Sequence, residues 1–135
     1  MATLKSQRNE SEMEFLATAR ELQKQTVTRC VNMPKRYTFY GNVELAAITK
    51  RVYAAVKKAN SIYPLNQHEA QKRRDYFIEA GCELQDFISQ LELHFEIVKF
   101  DAKVLKELSS LAEHEIVLVK AVMKKDRERY KNLPT

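Results

Sequence analysis

A chain of 135 residues with 44% hydrophobic side chains is the size of one domain and can bury a continuous core without disulfides or metals to staple it. Two glycines and three prolines are too few for hairpin-rich sheets, and no run approaches the roughly 20 apolar residues of a membrane span. The stretch Met1–Glu12 is polar rather than a signal peptide, so an all-α domain in the cytoplasm is expected, with a net charge of +5 that fits a polyanionic partner.

Ser11, three residues before Glu14, has the spacing of a capping box and opens a first helix. On it Phe15, Ala19, Leu22, Thr26, Cys30 and Met33 recur every three or four residues, and Pro34 ends it. The connection Pro34–Asn42 contains Gly41. Leu45, Ile48, Val52, Val56, Ala59 and Ile62 then mark one face of a second helix, which Tyr63-Pro64 closes.

A third helix is predicted from about Gln67 to near Phe100, with Ala70, Phe77, Gly81, Leu84, Ile88, Leu91, Phe95 and Val98 inward. Asp101 is the expected N-cap of the fourth, which presents Leu105, Leu108, Ala112, Ile116, Val119 and Met123. Val104, Leu111, Val117, Leu118 and Val122 widen its apolar face beyond one seam, and Leu111, Val117, Leu118 and Val122 are therefore assigned to an interface between copies of the chain.

Short connections make consecutive helices antiparallel, giving an up-down four-helix bundle over residues 1–135 as a single domain, with residues 1–10 and 131–135 flexible. Cys30 and Cys82 then fall roughly 15 Å apart along the bundle axis, too far for a disulfide, and read as reduced, buried thiols.

Charge is unevenly distributed. Residues 35–74 carry nine basic and two acidic side chains, residues 75–116 three and ten, and residues 117–135 six and two. Antiparallel threading brings the end of the second helix (Lys57, Lys58), the start of the third (Lys72, Arg73, Arg74) and the end of the fourth to one basic end. There Lys120, Lys124, Arg127 and Lys131 form a stripe, with Lys125 and Arg129 beside it. A polyanion could lie across this end; the competing reading is a solvated face whose last-turn cations oppose the helix dipoles. Lys120 and Lys124 are expected opposite Glu79 and Glu83, which leaves Arg73, Arg74, Arg127, Arg129 and Lys131 as the freer contacts. Tyr37, Phe39 and Tyr40, beside Lys35 and Arg36, could stack bases and hold phosphates or could plug the bundle end.

Chemistry finds little support. His68, His94 and His114 stand on separate segments with no ligand partner at helical metal-site spacing, and Glu79, Glu83 and Asp86 form an acidic row without the Glu-x-x-His units of di-iron bundles. No phosphate loop, nucleophile elbow or Cys/His pairing is present, so no catalytic residue, metal or cofactor is assigned.

Met33-Pro34-Lys35-Arg36-Tyr37-Thr38-Phe39 and Lys58-Ala59-Asn60-Ser61-Ile62-Tyr63-Pro64, together with Arg74, Glu79-Ala80, Glu83-Leu84 and Gln90-Leu91, resemble a known family over roughly Glu14–Met123. It is the four-helix-bundle family that includes Avd, the accessory variability determinant of diversity-generating retroelements, and proteins encoded within ribosomal-RNA intervening sequences. The resemblance implies a basic bundle that forms a ring-like homo-oligomer, usually a pentamer, and binds a reverse transcriptase and its template RNA, or DNA, in support of mutagenic reverse transcription. Many relatives have a Gly-Gly-Trp-Ile-like stretch in the fourth helix; this chain has Ile116-Val117-Leu118-Val119-Lys120 and no tryptophan. The alternative function is a protein-only oligomeric scaffold of a mobile element.

Overall fold

The computed structural model describes residues 13–135, apart from the side chains of Phe39 and Tyr40. It contains four helices, α1 (Glu14–Val31), α2 (Asn42–Asn60), α3 (Gln67–Val98) and α4 (Ala102–Arg129), with a 3-10 helix, Lys35–Tyr40, between the first two. Each packs on its neighbours in sequence, and α4 returns to α1, which closes the expected antiparallel up-down bundle. At 1.5 Å per residue α3 spans about 48 Å and α4 about 42 Å, against about 27 Å for α1, so the α3–α4 hairpin is the spine of the molecule.

Local chemistry sets the helix ends. Asn66 accepts from the Glu69 amide (2.9 Å) while Glu69 Oε1 accepts from the Leu65 amide (2.7 Å), a near-reciprocal cap at the start of α3. Lys99 ends that helix one residue before the expected Phe100 by turning left-handed (φ 49°), its amide donating to the Phe95 carbonyl. Asp101 caps α4 through the Lys103 amide, as expected. At α1, Ser11 of the anticipated capping box lies outside the described residues; Met13 precedes the first helical residue and supplies no side-chain cap.

The core seam of α1 is the anticipated one, with Phe15, Ala19, Leu22 and Thr26 buried and Phe15 edge-on to Phe77 at 5.5 Å. On α3 the seam is rotated from the expected face. It runs through Arg73, Phe77, Ala80, Leu84, Phe87, Leu91 and His94 at alternating spacings of four and three, and Gly81, Ile88 and Phe95 sit half-buried on its flank. Two polar members disguise the pattern. His94 donates from Nε2 to Asn42 Oδ1 (2.9 Å), and Asn42 Nδ2 reaches the Cys30 carbonyl (3.4 Å), tying α1, α2 and α3 together at one end. Gly41 is needed there for close approach: a Cβ on it would lie 2.7 Å from His94 Cε1.

On α4 the fully buried positions are Leu108, Ala112, Glu115 and Val119. Leu111, Leu118 and Val122, expected at an interface between copies, pack partly buried against the bundle's own core. The pairs Arg29–Glu107 (2.9 Å) and His114–Glu14 (3.3 Å) mark the flank of α4 that faces α1, and Leu111 and Leu118 fall on the same flank. Helix α4 sits at a corner of the bundle and needs two apolar flanks, one for each neighbour. Val117 alone of the four is largely exposed, at 62%.

Glu115 is fully buried in this seam, and neither carboxylate oxygen has a hydrogen-bond partner. Burial first, and the Glu14 carboxylate second, push its pKa from 4.5 up to about 9, so it is a neutral acid at neutral pH. Both cysteines are free thiols, but the expectation that both are buried is corrected: Cys82 is exposed and Cys30 half-buried, with burial holding the Cys30 thiol up at about 11 and thus protonated. Residues 131–135, expected to be flexible, are hydrogen-bonded to the start of α3. Gln67 Nε2 donates to the carbonyls of Tyr130 (2.8 Å) and Leu133 (3.0 Å), and the Gln67 amide donates to Pro134 (2.8 Å), which fastens the tail to the start of α3.

Candidate nucleic-acid interface

The end of α2, the start of α3 and the end of α4 do meet, and the residue that joins them is Arg73. Its side chain is buried at 7% exposure and donates from Nε to Asp126 of α4 at 2.7 Å. Its Nη1 donates to the Ala59 carbonyl (3.1 Å) and the Ile62 carbonyl (3.2 Å) at the end of α2, and its guanidinium stacks near Phe77 (5.2 Å) and Tyr130 (5.9 Å). A cation at the carbonyl end of a helix is favourably placed against the dipole, and the planar fork of arginine serves several acceptors at once. Arg73 is therefore a structural clamp, and its assignment as a free nucleic-acid contact is corrected.

Around this clamp most of the remaining cations are exposed, and Arg74 is half-buried. Lys57 lies 5.3 Å from the Tyr53 ring and Lys58 5.7 Å from the Tyr76 ring, both exposed. Lys72 and Lys124 are exposed, and neither makes an ion pair among the described residues. Arg74 and Arg127 line a cleft between α3 and α4 with Gln71, Tyr130 and Lys131. Arg129 is exposed beside the Tyr130 ring at 5.9 Å. Lys131 pairs with Glu128 at 3.0 Å and is not the unpaired cation expected, although at 59% exposure that pair is worth little.

Acidic groups at this end are largely engaged. Asp126 holds Arg73, Glu128 holds Lys131, Asp75 accepts from Gln71, and Glu69 accepts from the Leu65 amide. The anticipated pairing of Lys120 and Lys124 with Glu79 and Glu83 does not form. Glu83 faces α2 and accepts from Arg51 Nε at 3.0 Å, with Glu44 on the other side of the same guanidinium. Lys120 and Lys124 are exposed instead, and neither makes an ion pair among the described residues.

Lys35 and Arg36, the further nucleic-acid contacts considered, stand apart from this end. They lie in the 3-10 helix between α1 and α2, at the end where Asn42 meets His94, the length of the bundle away from Arg73. Arg36 there covers its neighbour Tyr37 (4.9 Å) and donates to the Tyr37 hydroxyl (3.0 Å). The aromatic ring exposed at the basic end is Tyr63 instead, in the α2–α3 loop at 75% exposure with Leu65 at 76%. The sequence did carry a signal for it, a tyrosine between Lys57-Lys58 and Lys72 in a short loop, which reads first as a helix stop because Pro64 follows.

Among the described residues no group of three His, Cys, Asp or Glu side chains could hold a metal, and no helix is long and apolar enough to cross a membrane. The architecture is that of an all-α four-helix bundle. Comparison with known protein families, curated proteins and solved structures found no match.

Proposed function

We propose that the chain is a non-catalytic nucleic-acid-binding accessory protein of a diversity-generating retroelement. In this reading it acts in the cytoplasm as a homo-oligomer, five subunits by the resemblance, and holds template RNA for a reverse transcriptase. The retroelement setting, the polymerase and the subunit number come from the resemblance of Met33–Phe39 and Lys58–Pro64 to the Avd family. The observation that supports RNA binding is physical: at one end Lys57, Lys58, Lys72, Arg74, Lys124 and Arg127 lie on the surface while Asp126, Glu128, Asp75 and Glu69 are engaged within the chain. Such an end attracts phosphates by releasing their counterions, with little regard to base sequence. Repetition around a ring would combine several weak contacts into a tight one.

The test is fluorescence anisotropy of a labelled RNA titrated at 50 to 200 mM salt. Arg74→Glu with Arg127→Glu should weaken binding and flatten the salt slope by about one unit for each phosphate that is no longer neutralised. Lys103→Glu with Lys106→Glu, at the opposite end, should change much less. Equal effects of the two pairs would make the binding diffuse attraction to net charge, and no binding at all would leave the protein-only scaffold as the function.

A further inference from the structure

We infer that Tyr63 is a base-stacking platform, and that the basic end accepts an unpaired strand in preference to a duplex; this rests on the nucleic-acid reading above and narrows its ligand. Tyr63, 75% exposed on a short loop, contributes little burial to the fold. The loop is nevertheless held rigidly on both sides of it. Before it, the Ile62 carbonyl accepts from buried Arg73 (3.2 Å) and Ser61 Oγ donates to the Lys58 carbonyl (2.6 Å). After it, Pro64 is buried and the Leu65 amide is fixed by Glu69 at 2.7 Å. The backbone is thus held in place at Tyr63, and only the two side-chain torsions of the ring remain to be ordered on meeting a ligand.

What surrounds it selects the ligand. Tyr63 lines an open groove of about 490 Å³ with Lys58, Lys72, Leu65 and Tyr76, a size within the range of clefts that hold small organic groups. Two lysines flank the aromatic surface, and Glu69, the acid in the groove, is already hydrogen-bonded to the loop amide. Lysine is depleted from the cores of protein–protein interfaces, whereas lysine interleaved with exposed aromatic rings is the composition of grooves that track a single strand. A duplex hides its base faces within its own stack, so the ring can engage only a base free of one.

The chain has no tryptophan, so Tyr63→Trp creates a single fluorescent reporter at the site. Binding of a 12-nucleotide oligouridylate should quench that reporter and leave the affinity within about threefold of the parent protein. Tyr63→Ala should lose roughly 5- to 150-fold in affinity for the same strand, the range for one base–aromatic stack, with the salt slope unchanged because every phosphate is still met by the same cations. Affinity for a 12-base-pair RNA duplex should not move. Unquenched tryptophan together with parent-like affinity of Tyr63→Ala for the single strand would overturn the stacking inference while leaving the basic end as a phosphate-binding surface. A parent protein that binds neither oligonucleotide would overturn both.

Discussion

Glu115→Gln tests the most costly feature of the core. The acid is fully buried without a partner, and its pKa is raised from 4.5 to about 9. Between these values the folded protein keeps a proton that the unfolded chain releases, so the unfolded state gains as pH rises and stability falls across that window. Below about pH 4 the carboxyl is protonated in both states and no penalty remains. At pH 7 the deficit is 2.5 pH units at 1.36 kcal/mol each, or about 3 kcal/mol, a large share of the roughly 5–15 kcal/mol that holds a domain together. Glutamine has nearly the same shape and no proton to lose. The variant should therefore unfold at a urea midpoint higher by about 1 to 3 M at pH 7, a difference that shrinks toward zero as pH falls to 4 and widens toward pH 8.5. Parallel urea titrations of the two proteins at pH 4, 5.5, 7 and 8.5, followed by far-ultraviolet circular dichroism, measure it. Equal midpoints at pH 8.5, or a gap independent of pH, would refute the assignment of Glu115 as a buried neutral acid.

Arg73→Lys should cost about 1–3 kcal/mol, since an ammonium keeps the charge opposite Asp126 but cannot also serve the Ala59 and Ile62 carbonyls as the fork does, while Arg74→Lys should change stability by less than about 0.5 kcal/mol; thermal or urea melts separate the two. Gly41→Ala drives a methyl into the His94 ring and should destabilise by about 1–3 kcal/mol, whereas Gly81→Ala, with open space around its Cβ position inside α3, should stabilise by up to about 1 kcal/mol. If the protein self-associates through the exposed side of α4, Val117→Glu should lower the mass seen by light scattering with helicity intact. Leu118→Glu should instead lower the melting temperature of the subunit, because Leu118 packs against the core.

Much of the fold is legible in the sequence because apolar residues at helical spacing and short punctuating loops act locally. Phe15, Ala19 and Leu22, or Leu45, Ile48 and Val52, announce their face without reference to any other helix. The seam of α3 is less legible because Arg73 and His94 belong to it, and whether a charged or polar residue is buried depends on the acceptors that other helices bring. Asp126 and the Ala59 carbonyl are many positions from Arg73 in the chain. The same reason hides Glu115, which reads as one more acid on a polar face. Of the basic end, the convergence of three segments follows from topology alone. Which cations remain available does not: Arg73 is consumed by the fold, Lys35 and Arg36 belong to the other end, and Glu83 turns to Arg51 rather than to α4.

The uneven sharing of polar residues also fixes where the bundle gives way first. Helix α1 buries only Phe15, Ala19 and Leu22 as apolar anchors, beside Thr18 and a Thr26 hydroxyl without a partner, and α4 only Leu108, Ala112 and Val119, whereas α2 contributes Leu45, Ile48, Val52, Ala55, Val56 and Ala59. The seam between α1 and α4 contains Glu115. Partial unfolding should therefore begin with detachment of α1 from α4, and the amides of these two helices should exchange with solvent through that opening well before those of α2 and α3. Detachment uncovers the flank of α4 that carries Leu111 and Leu118, a surface shaped to receive an α1 helix from any copy of the chain, so the same weak seam offers a route to exchange of helices between subunits.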